Sequence, residues 1–535
     1  MGFEITGALR LDRRRLLAGS AALGLLGLAA CQKKEGAASG EAPVATTTSG
    51  QIRGALVDGV NVFKGVPYAA STEGRRFMPP LPPEKWEGVR DALAFGHISP
   101  QLGAERPSVY ASWANPTDPG EDCLVLNVYS AGLNDGKKRA VMVWYHGGGF
   151  TSGSANSHYA DGTRLAKLHD VCVVTVNHRL NAFGYLSLAH LAPDLADSGN
   201  VGNLDLVRSL EWVRDNIANF GGDPANVLIF GQSGGGMKVG SLMGMPAAQG
   251  LFHKAVVQSG AMLNMPGRAS PEENTAKVLK ALNLTDKDVD KLRSMPFAEI
   301  SAALPKAGAQ FWPNVGPSLP EQPFAKAAPE VSKAVPMLIG YTRTETSSLQ
   351  GGRDATLFDL TWETLPARLG PQLRGMDAAK TIEGLRAANP DATPPEIYFI
   401  ASTESFLGVA SNRQAELKAA QAAAGGAPVF AYWLNWETPV DGGKWMSPHS
   451  VEHAFVFDNV AKSASMVGPE TAETKTMADA MSGAWVKFAK TGDPGWPAFT
   501  PEKRMTMVFD AKPHVAEDPN KAARLLFASS KGPVI

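Results

Sequence analysis

The stretch Leu228-Ile229-Phe230-Gly231-Gln232-Ser233-Gly234-Gly235-Gly236 constrains this chain more than any other. A short apolar run leads straight into a glycine-flanked serine, the pattern of a strand entering a sharp turn. Val227 to Phe230 reads as a buried parallel strand, and residues 236–242 as the opening of a helix. A turn between the two crowds the backbone, so glycine is favoured two residues before and two after the serine. A G-x-S-x-G match arises by chance about 0.2 times in a chain of this size. The flanking sequence therefore has to carry the reading.

With 535 residues, 44% of them hydrophobic and 19% charged, the chain is globular and long enough to bury a large core. The net charge of −1, with no basic cluster beyond the N-terminus, excludes a nucleic-acid partner. Residues 1–30 differ from the rest: Arg13-Arg14-Arg15 precede an apolar run, Leu16 to Ala30, that ends at Cys31. The run is short for a permanent membrane span and reads as an export signal. Asp12-Arg13-Arg14-Arg15-Leu16-Leu17 resembles a twin-arginine signal, and Leu28-Ala29-Ala30-Cys31 resembles a bacterial lipobox. The expectation is a periplasmic protein, exported already folded and lipidated at Cys31, the lipid being its only membrane attachment. The alternative is simple cleavage leaving a soluble protein. Residues 31–47, poor in large apolar side chains, read as a flexible tether to a domain spanning 48–535. Only Cys123 and Cys172 remain in that body, which speaks against a disulfide framework.

Along the domain, alternating segments near Gln51-Ile52-Arg53 and Val62 to Ala69 suggest antiparallel edge strands. Val141 to Tyr145 stops abruptly at His146-Gly147-Gly148-Gly149-Phe150, and Val171 to Val176 is a further strand. Leu206, Leu210, Val213 and Ile217 mark one face of a helix. Val256, Leu338 and Phe430 centre later strands, and this alternation implies a mostly parallel sheet flanked by helices. Residues 268–330 and 355–427 read as helical insertions, and Met477, Met481, Trp485 and Phe488 as one face of a closing helix.

A serine hydroxyl needs a base to take its proton, and the base needs an acid to hold its tautomer. In the α/β-hydrolase fold, which uses such a turn as its nucleophile elbow, the chain order is Ser, acid, His. Three histidines, His449, His453 and His514, satisfy that order. His449 lies in a loop after a strand, where side chains reach the sheet edge. His453 stays open as a structural residue or, with His449, a metal pair at i,i+4 spacing. Glu345 sits just past the strand around Leu338, with Asp354 as the alternative acid. Oxyanion donors would be the N–H of Gly234 and those of Gly148 and Gly149.

The combination resembles the type B carboxylesterase family, which includes the cholinesterases. The resemblance spans roughly 48–527 and rests on Phe63 to Ala69, Glu121-Asp122-Cys123-Leu124, the 146–150 loop, Phe220-Gly221-Gly222-Asp223-Pro224, the serine turn, Gly340 with Glu345, and His449 with Phe455-Val456-Phe457. It implies an α/β-hydrolase fold and a serine carboxylesterase, with Ser233 as nucleophile, Glu345 as acid, His449 as base, and Gly148, Gly149 and Gly234 as oxyanion donors. It also implies a small-molecule ester substrate and no metal or organic cofactor. Gln232 and Gly234 stand where the family usually has Glu and Ala, which removes an anionic feature suited to cationic substrates. Ser99 stands where the family usually has the cysteine that pairs with Cys123, so that loop is expected to be untethered. Trp113, at the offset of the cholinesterase gorge tryptophan, is a candidate substrate wall, and Gln232 and Phe150 are further candidate substrate-binding residues. Amide or carbamate cleavage by the same residues, and a non-catalytic binding protein on the same fold, are the rival readings.

Overall fold

The computed structural model describes residues 42–103, 107–113, 117–263 and 269–528. The export signal and Cys31 lie outside them. Among the described residues there are fourteen strands, in chain order β1 (Val44–Thr46), β2 (Gln51–Arg53), β3 (Ala55–Val57), β4 (Val60–Pro67), β5 (Val89–Asp91), β6 (Val125–Ser130), β7 (Arg139–Tyr145), β8 (Cys172–Val176), β9 (Gly222–Gln232), β10 (Lys254–Gln258), β11 (Met337–Thr342), β12 (Val429–Leu434), β13 (Met505–Phe509) and β14 (His514–Glu517). Eleven of them form one sheet in the order β14-β13-β12-β11-β10-β9-β7-β8-β6-β4-β3. From β8 to β13 all neighbours run parallel, and antiparallel pairs close both edges.

The apolar runs become central strands because both faces of the sheet are covered. Every residue of β7, β8 and β10 is buried. Side chains alternate between two cores: Val141, Val143 and Tyr145 point into one, Met142 and Trp144 into the other. The helix Val201–Asn216 and the helix Gly234–Met243 cover the first face. The helix Ala472–Thr491 covers the second with Met477, Met481, Trp485 and Phe488, the face read from the sequence. The 355–427 insertion brings its own small core, around Leu365, Leu369, Ile397 and Phe399.

Three expectations change. The tether expected over 31–47 ends earlier: β1 pairs with β2, Ala45 and Ile52 are buried together, and the Gly54 N–H donates to the Pro43 carbonyl at 2.8 Å. Valine, alanine and threonine at 44–46 suffice for a strand once a partner covers them. The helix after Ser233 starts at Gly234, two residues earlier than expected, because three glycines let it begin in the tightest space. The helix 472–491 does not close the chain either; β13, β14 and the helix Lys521–Phe527 follow. Those strands are short and sit at the sheet edge, where alternation is hard to see.

The order of β7 between β8 and β9 is a switch in winding direction, and ligands of open parallel sheets bind at the carboxyl ends of strands at such a point. Register places Tyr145 beside Gly231, so the glycine loop after β7 and the serine turn after β9 leave the sheet side by side. Two glycines make this possible. A Cβ on Gly235 would stand 2.0 Å from the Tyr145 carbonyl oxygen, and one on Gly231 2.4 Å from the Gly235 carbonyl carbon. Gly235→Ala is therefore expected to lower stability by about 3 kcal/mol or more, the upper range of core overpacking. Gly240→Ala is the control: its Cβ would meet nothing nearer than Gln414 Nε2 at 3.9 Å in the same helix. It should be neutral or stabilising by about 0.5–1 kcal/mol, read from urea midpoints.

Candidate active site

Ser233 occupies the turn between β9 and the helix Gly234–Met243 with φ 57° and ψ −125°, a conformation that costs an L-residue energy. The neighbouring backbone holds it there. Its N–H donates to the Gln258 carbonyl at 2.8 Å, and its carbonyl accepts from the Met237 N–H at 3.0 Å. The side chain is only partly buried, and its hydroxyl has no hydrogen-bond partner among the described residues. Catalytic hydrogen bonds often tighten only with substrate in place.

Glu345 follows β11 on the same sheet edge and is fully buried. The Thr342 N–H donates to its Oε1 at 2.7 Å, while Oε2 hydrogen-bonds His449 Nδ1. His449 comes from the loop after β12, and Tyr110 donates its hydroxyl to the His449 carbonyl at 3.1 Å. Three strand ends thus bring Ser233, Glu345 and His449 to one place. Removing His449 would leave a buried Glu345 oxygen without its hydrogen-bond partner, at a cost of about 1–3 kcal/mol.

Next to the serine turn, Gly148 and Gly149 have φ of +92° and +62°. A Cβ on Gly234 would come within 2.4 Å of the Gly149 nitrogen, so loop and helix start are in contact. Among the described residues the N–H groups of Gly148, Gly149 and Gly234 have no hydrogen-bond acceptor. Together they can receive a developing negative charge.

The sequence profile of the carboxylesterase family matches residues 41–527. The chain belongs to the carboxylesterase family. A para-nitrobenzyl esterase of Bacillus subtilis is 35% identical to it over 91% of this chain and 99% of that relative. A phenmedipham hydrolase of Pseudarthrobacter oxydans is 30% identical over 89% of this chain and 97% of its own. Among solved structures, a carboxylesterase of Geobacillus stearothermophilus superposes with a TM-score of 0.77 at 35% identity, covering 90% of this chain and 99% of that one. This carboxylesterase is an α/β-hydrolase that cleaves carboxylic esters.

Several side chains of the carboxylesterase sit elsewhere than expected. Trp113 is no substrate wall: its ring packs against Tyr110, Tyr159 and His453, and its indole N–H donates to Ser463 Oγ at 3.0 Å. Phe150 is buried against Tyr185 and Trp312 and braces the glycine loop from behind. Gln232 is buried beneath His449, its Nε2 3.3 Å from each ring nitrogen and its Oε1 accepting from Ser450 Oγ at 3.0 Å. Its side chain is taken up by these two contacts and has almost no exposed surface. In sequence Phe150 follows the glycine loop and Gln232 precedes Ser233, but both side chains are buried.

Asp354 caps its own short helix through the Thr356 N–H and pairs with Arg368. His514 is exposed on β14. His453 donates from Nδ1 to the Ser450 carbonyl at 2.7 Å inside an aromatic shell, and burial pulls it down to about 3. No group of three or more His, Cys, Asp or Glu among the described residues is placed to hold a metal ion. The Ser99 loop is held as well. Ser99 Oγ accepts the Leu180 N–H at 3.0 Å, and the side chain of Gln101 exchanges hydrogen bonds with the backbone of Gly153.

Sequence reasoning passed over Glu452, three residues after His449. It is fully buried, its Oε1 accepts from Ser259 Oγ at 3.1 Å, and its Oε2 has no partner. Burial first, then the charge of Glu345, pushes its carboxyl well above the ordinary value of 4.5. The unfolded chain releases this proton near that ordinary value while the folded chain keeps it. Stability therefore falls as pH rises above about 4.5 and keeps falling until the native carboxyl ionises. Glu452→Gln removes this titration, so its urea midpoint should drop less than the wild type's between about pH 5 and about pH 8.

Proposed function

We propose that this carboxylesterase hydrolyses uncharged carboxylic esters through an acyl-enzyme on Ser233, with His449 as general base and acid and Glu345 as its orienting carboxylate. The contact between the Glu345 carboxylate and His449 Nδ1, at the sheet edge where Ser233 is held on a strained turn, carries the reading. Glu345 fixes the tautomer that leaves His449 Nε2 to accept a proton. Ser233 Oγ attacks the ester carbonyl carbon as its proton passes to Nε2. The N–H groups of Gly148, Gly149 and Gly234 hold the oxyanion, each worth about two to three orders of magnitude in rate. The imidazolium then protonates the leaving alkoxide, and the acyl group stays on Ser233. Water enters, gives its proton to His449 and attacks the acyl carbon. Collapse of this second intermediate returns the proton to Ser233 Oγ and releases the carboxylic acid. Side chains and backbone supply every group these steps require.

A neutral alcohol portion is favoured because an amide, Gln232, stands beneath His449 where the family usually has a carboxylate. Para-nitrobenzyl and p-nitrophenyl esters, the first suggested by the name of the Bacillus subtilis relative, are suitable probes. Ser233→Ala should lower kcat/KM on them by about four to six orders of magnitude, with a far-UV spectrum like the wild type's. A Ser233→Ala protein that keeps its activity would sink the assignment. Matched ester and amide substrates decide between the two readings: turnover of the amide at a rate comparable to the ester would overturn the assignment to esters, and turnover of the ester alone supports it.

We also propose export through the twin-arginine-like segment around Arg13 and Arg14, with a lipid on Cys31 as the membrane anchor. Cys31→Ala should move the protein from the membrane to the soluble fraction on cell fractionation, since a lipid chain would be its only strong attachment. Unchanged membrane association would count against the anchor.

A further inference from the structure

The helix that begins at Gly234 is apolar and buried along its whole length, and it carries one charged side chain, Lys238. Lys238 has no exposed surface. Its Nζ donates one hydrogen bond, to the His146 carbonyl at 2.9 Å, and lies 5.6 Å from the centre of the Phe150 ring. Among the described residues it has no other hydrogen-bond acceptor and no carboxylate partner. An ammonium buried with one neutral acceptor is costly to the fold. The nearby Arg179–Asp205 pair is closed on itself at 2.6 Å, so Asp205 offers it no compensation.

The place of this charge is informative. His146 is the residue from which the glycine loop leaves β7. Its Nδ1 is 2.8 Å from the Gly147 carbonyl, whose peptide continues into the Gly148 N–H. Its ring stacks on that of His178, with centroids 4.8 Å apart and planes at 10°. His178 is buried, and burial first, then the Lys238 charge, drives it far below its ordinary value, so it faces Lys238 uncharged. The backbone of the helix start is pressed against the same segment at Tyr145 and His146. The negative counterpart that Lys238 lacks in the resting protein appears in front of this loop when an ester carbonyl is attacked.

We infer that Lys238 is a positioning residue of the oxyanion hole: its ammonium fixes the His146 carbonyl, and with it the glycine loop, and supplies positive potential behind the oxyanion. The inference rests on the assignment of Gly148, Gly149 and Gly234 proposed above. It goes beyond that assignment by placing a side-chain charge behind a hole built from backbone groups. Burial pulls the Lys238 ammonium down to about 7. Formation of an oxyanion ahead of it strengthens its hold on the proton, because opposite charges favour each other's ionised form. A charge that lowers resting stability and is compensated in the transition state is an instance of differential binding.

Lys238→Met keeps an unbranched side chain one atom shorter and removes the charge. Expected are a fall in kcat of about 10- to 100-fold on p-nitrophenyl esters, a KM within about threefold of wild type, and a thermal midpoint equal to or above the wild type's, since a buried charge is gone. A trifluoromethyl ketone, which forms an anionic adduct with the active serine, should lose affinity by the same factor as kcat/KM, while the matched methyl ketone should not. Unchanged kcat, unchanged trifluoromethyl ketone affinity, or a loss of rate that only follows a loss of folded protein would overturn the inference. If Lys238→Met does not fold, Lys238→Gln, which retains a donor but no charge, carries the same readouts. Should the wild type fail to bind the trifluoromethyl ketone and Ser233→Ala remain active, the proposed mechanism fails, whatever the Lys238 variants do.

Discussion

The structure depends on one close approach of backbone to backbone. The segment leaving β7 and the first turn of the helix after Ser233 lie so close that no side chain fits between Gly235 and the Tyr145 carbonyl. This contact sets where the helix begins, forces Ser233 into its strained conformation and puts the Gly149 nitrogen beside Gly234. The parallel register of β7 and β9 delivers the two segments to the same level. Everything the site needs from the backbone follows from those few residues.

Around that contact, burial makes each polar group depend on a specific neighbour. Glu345 is satisfied by the Thr342 N–H and by His449, and Gln232 is fixed by Ser450 beneath the histidine ring. Glu452 solves the same problem by keeping a proton. Burial and the nearby Glu345 charge outweigh the Ser259 hydrogen bond, which by itself favours the ionised form, so the Glu452 carboxyl is held well above its ordinary value. Lys238 is the exception: its amino group has a single neutral acceptor, and burial pulls it down to about 7.

The parts that could be read from the chain are those in which one residue type meets a local geometric demand. The glycine spacing around Ser233, the apolar runs of the central strands and the position of Glu345 and His449 after successive strands are of this kind. The parts that could not be read depend on where a side chain points once the layers close. Trp113, Phe150 and Gln232 lie close to reactive residues in sequence or by family offset, yet all three turn inward. Nothing in the local sequence marks that turn, because it is set by Tyr159, Tyr185, Trp312 and Ser450, each distant along the chain. Strand β1 was hidden for a related reason: Val44–Thr46 is too short to be apolar on average and becomes a strand by pairing with β2. Lys238 did carry a signal, a lone charge in an otherwise apolar helix, but its meaning needed the His146 carbonyl above it.

The loop around Ser99 shows how a covalent link can be replaced. The Leu180 N–H bonded to Ser99 Oγ, together with the reciprocal bonds between Gln101 and Gly153, holds this segment beside the glycine loop, while Cys123 and Cys172 stay as buried free thiols. Burial pushes the Cys172 thiol up to about 12 and Cys123 higher still, so neither presents a thiolate near neutral pH. The geometry of this region is thereby indifferent to the thiol redox potential of its surroundings. The domain can complete its fold in a reducing compartment and keep the same loop in an oxidising one, with no oxidant or disulfide isomerase acting on Cys123 or Cys172.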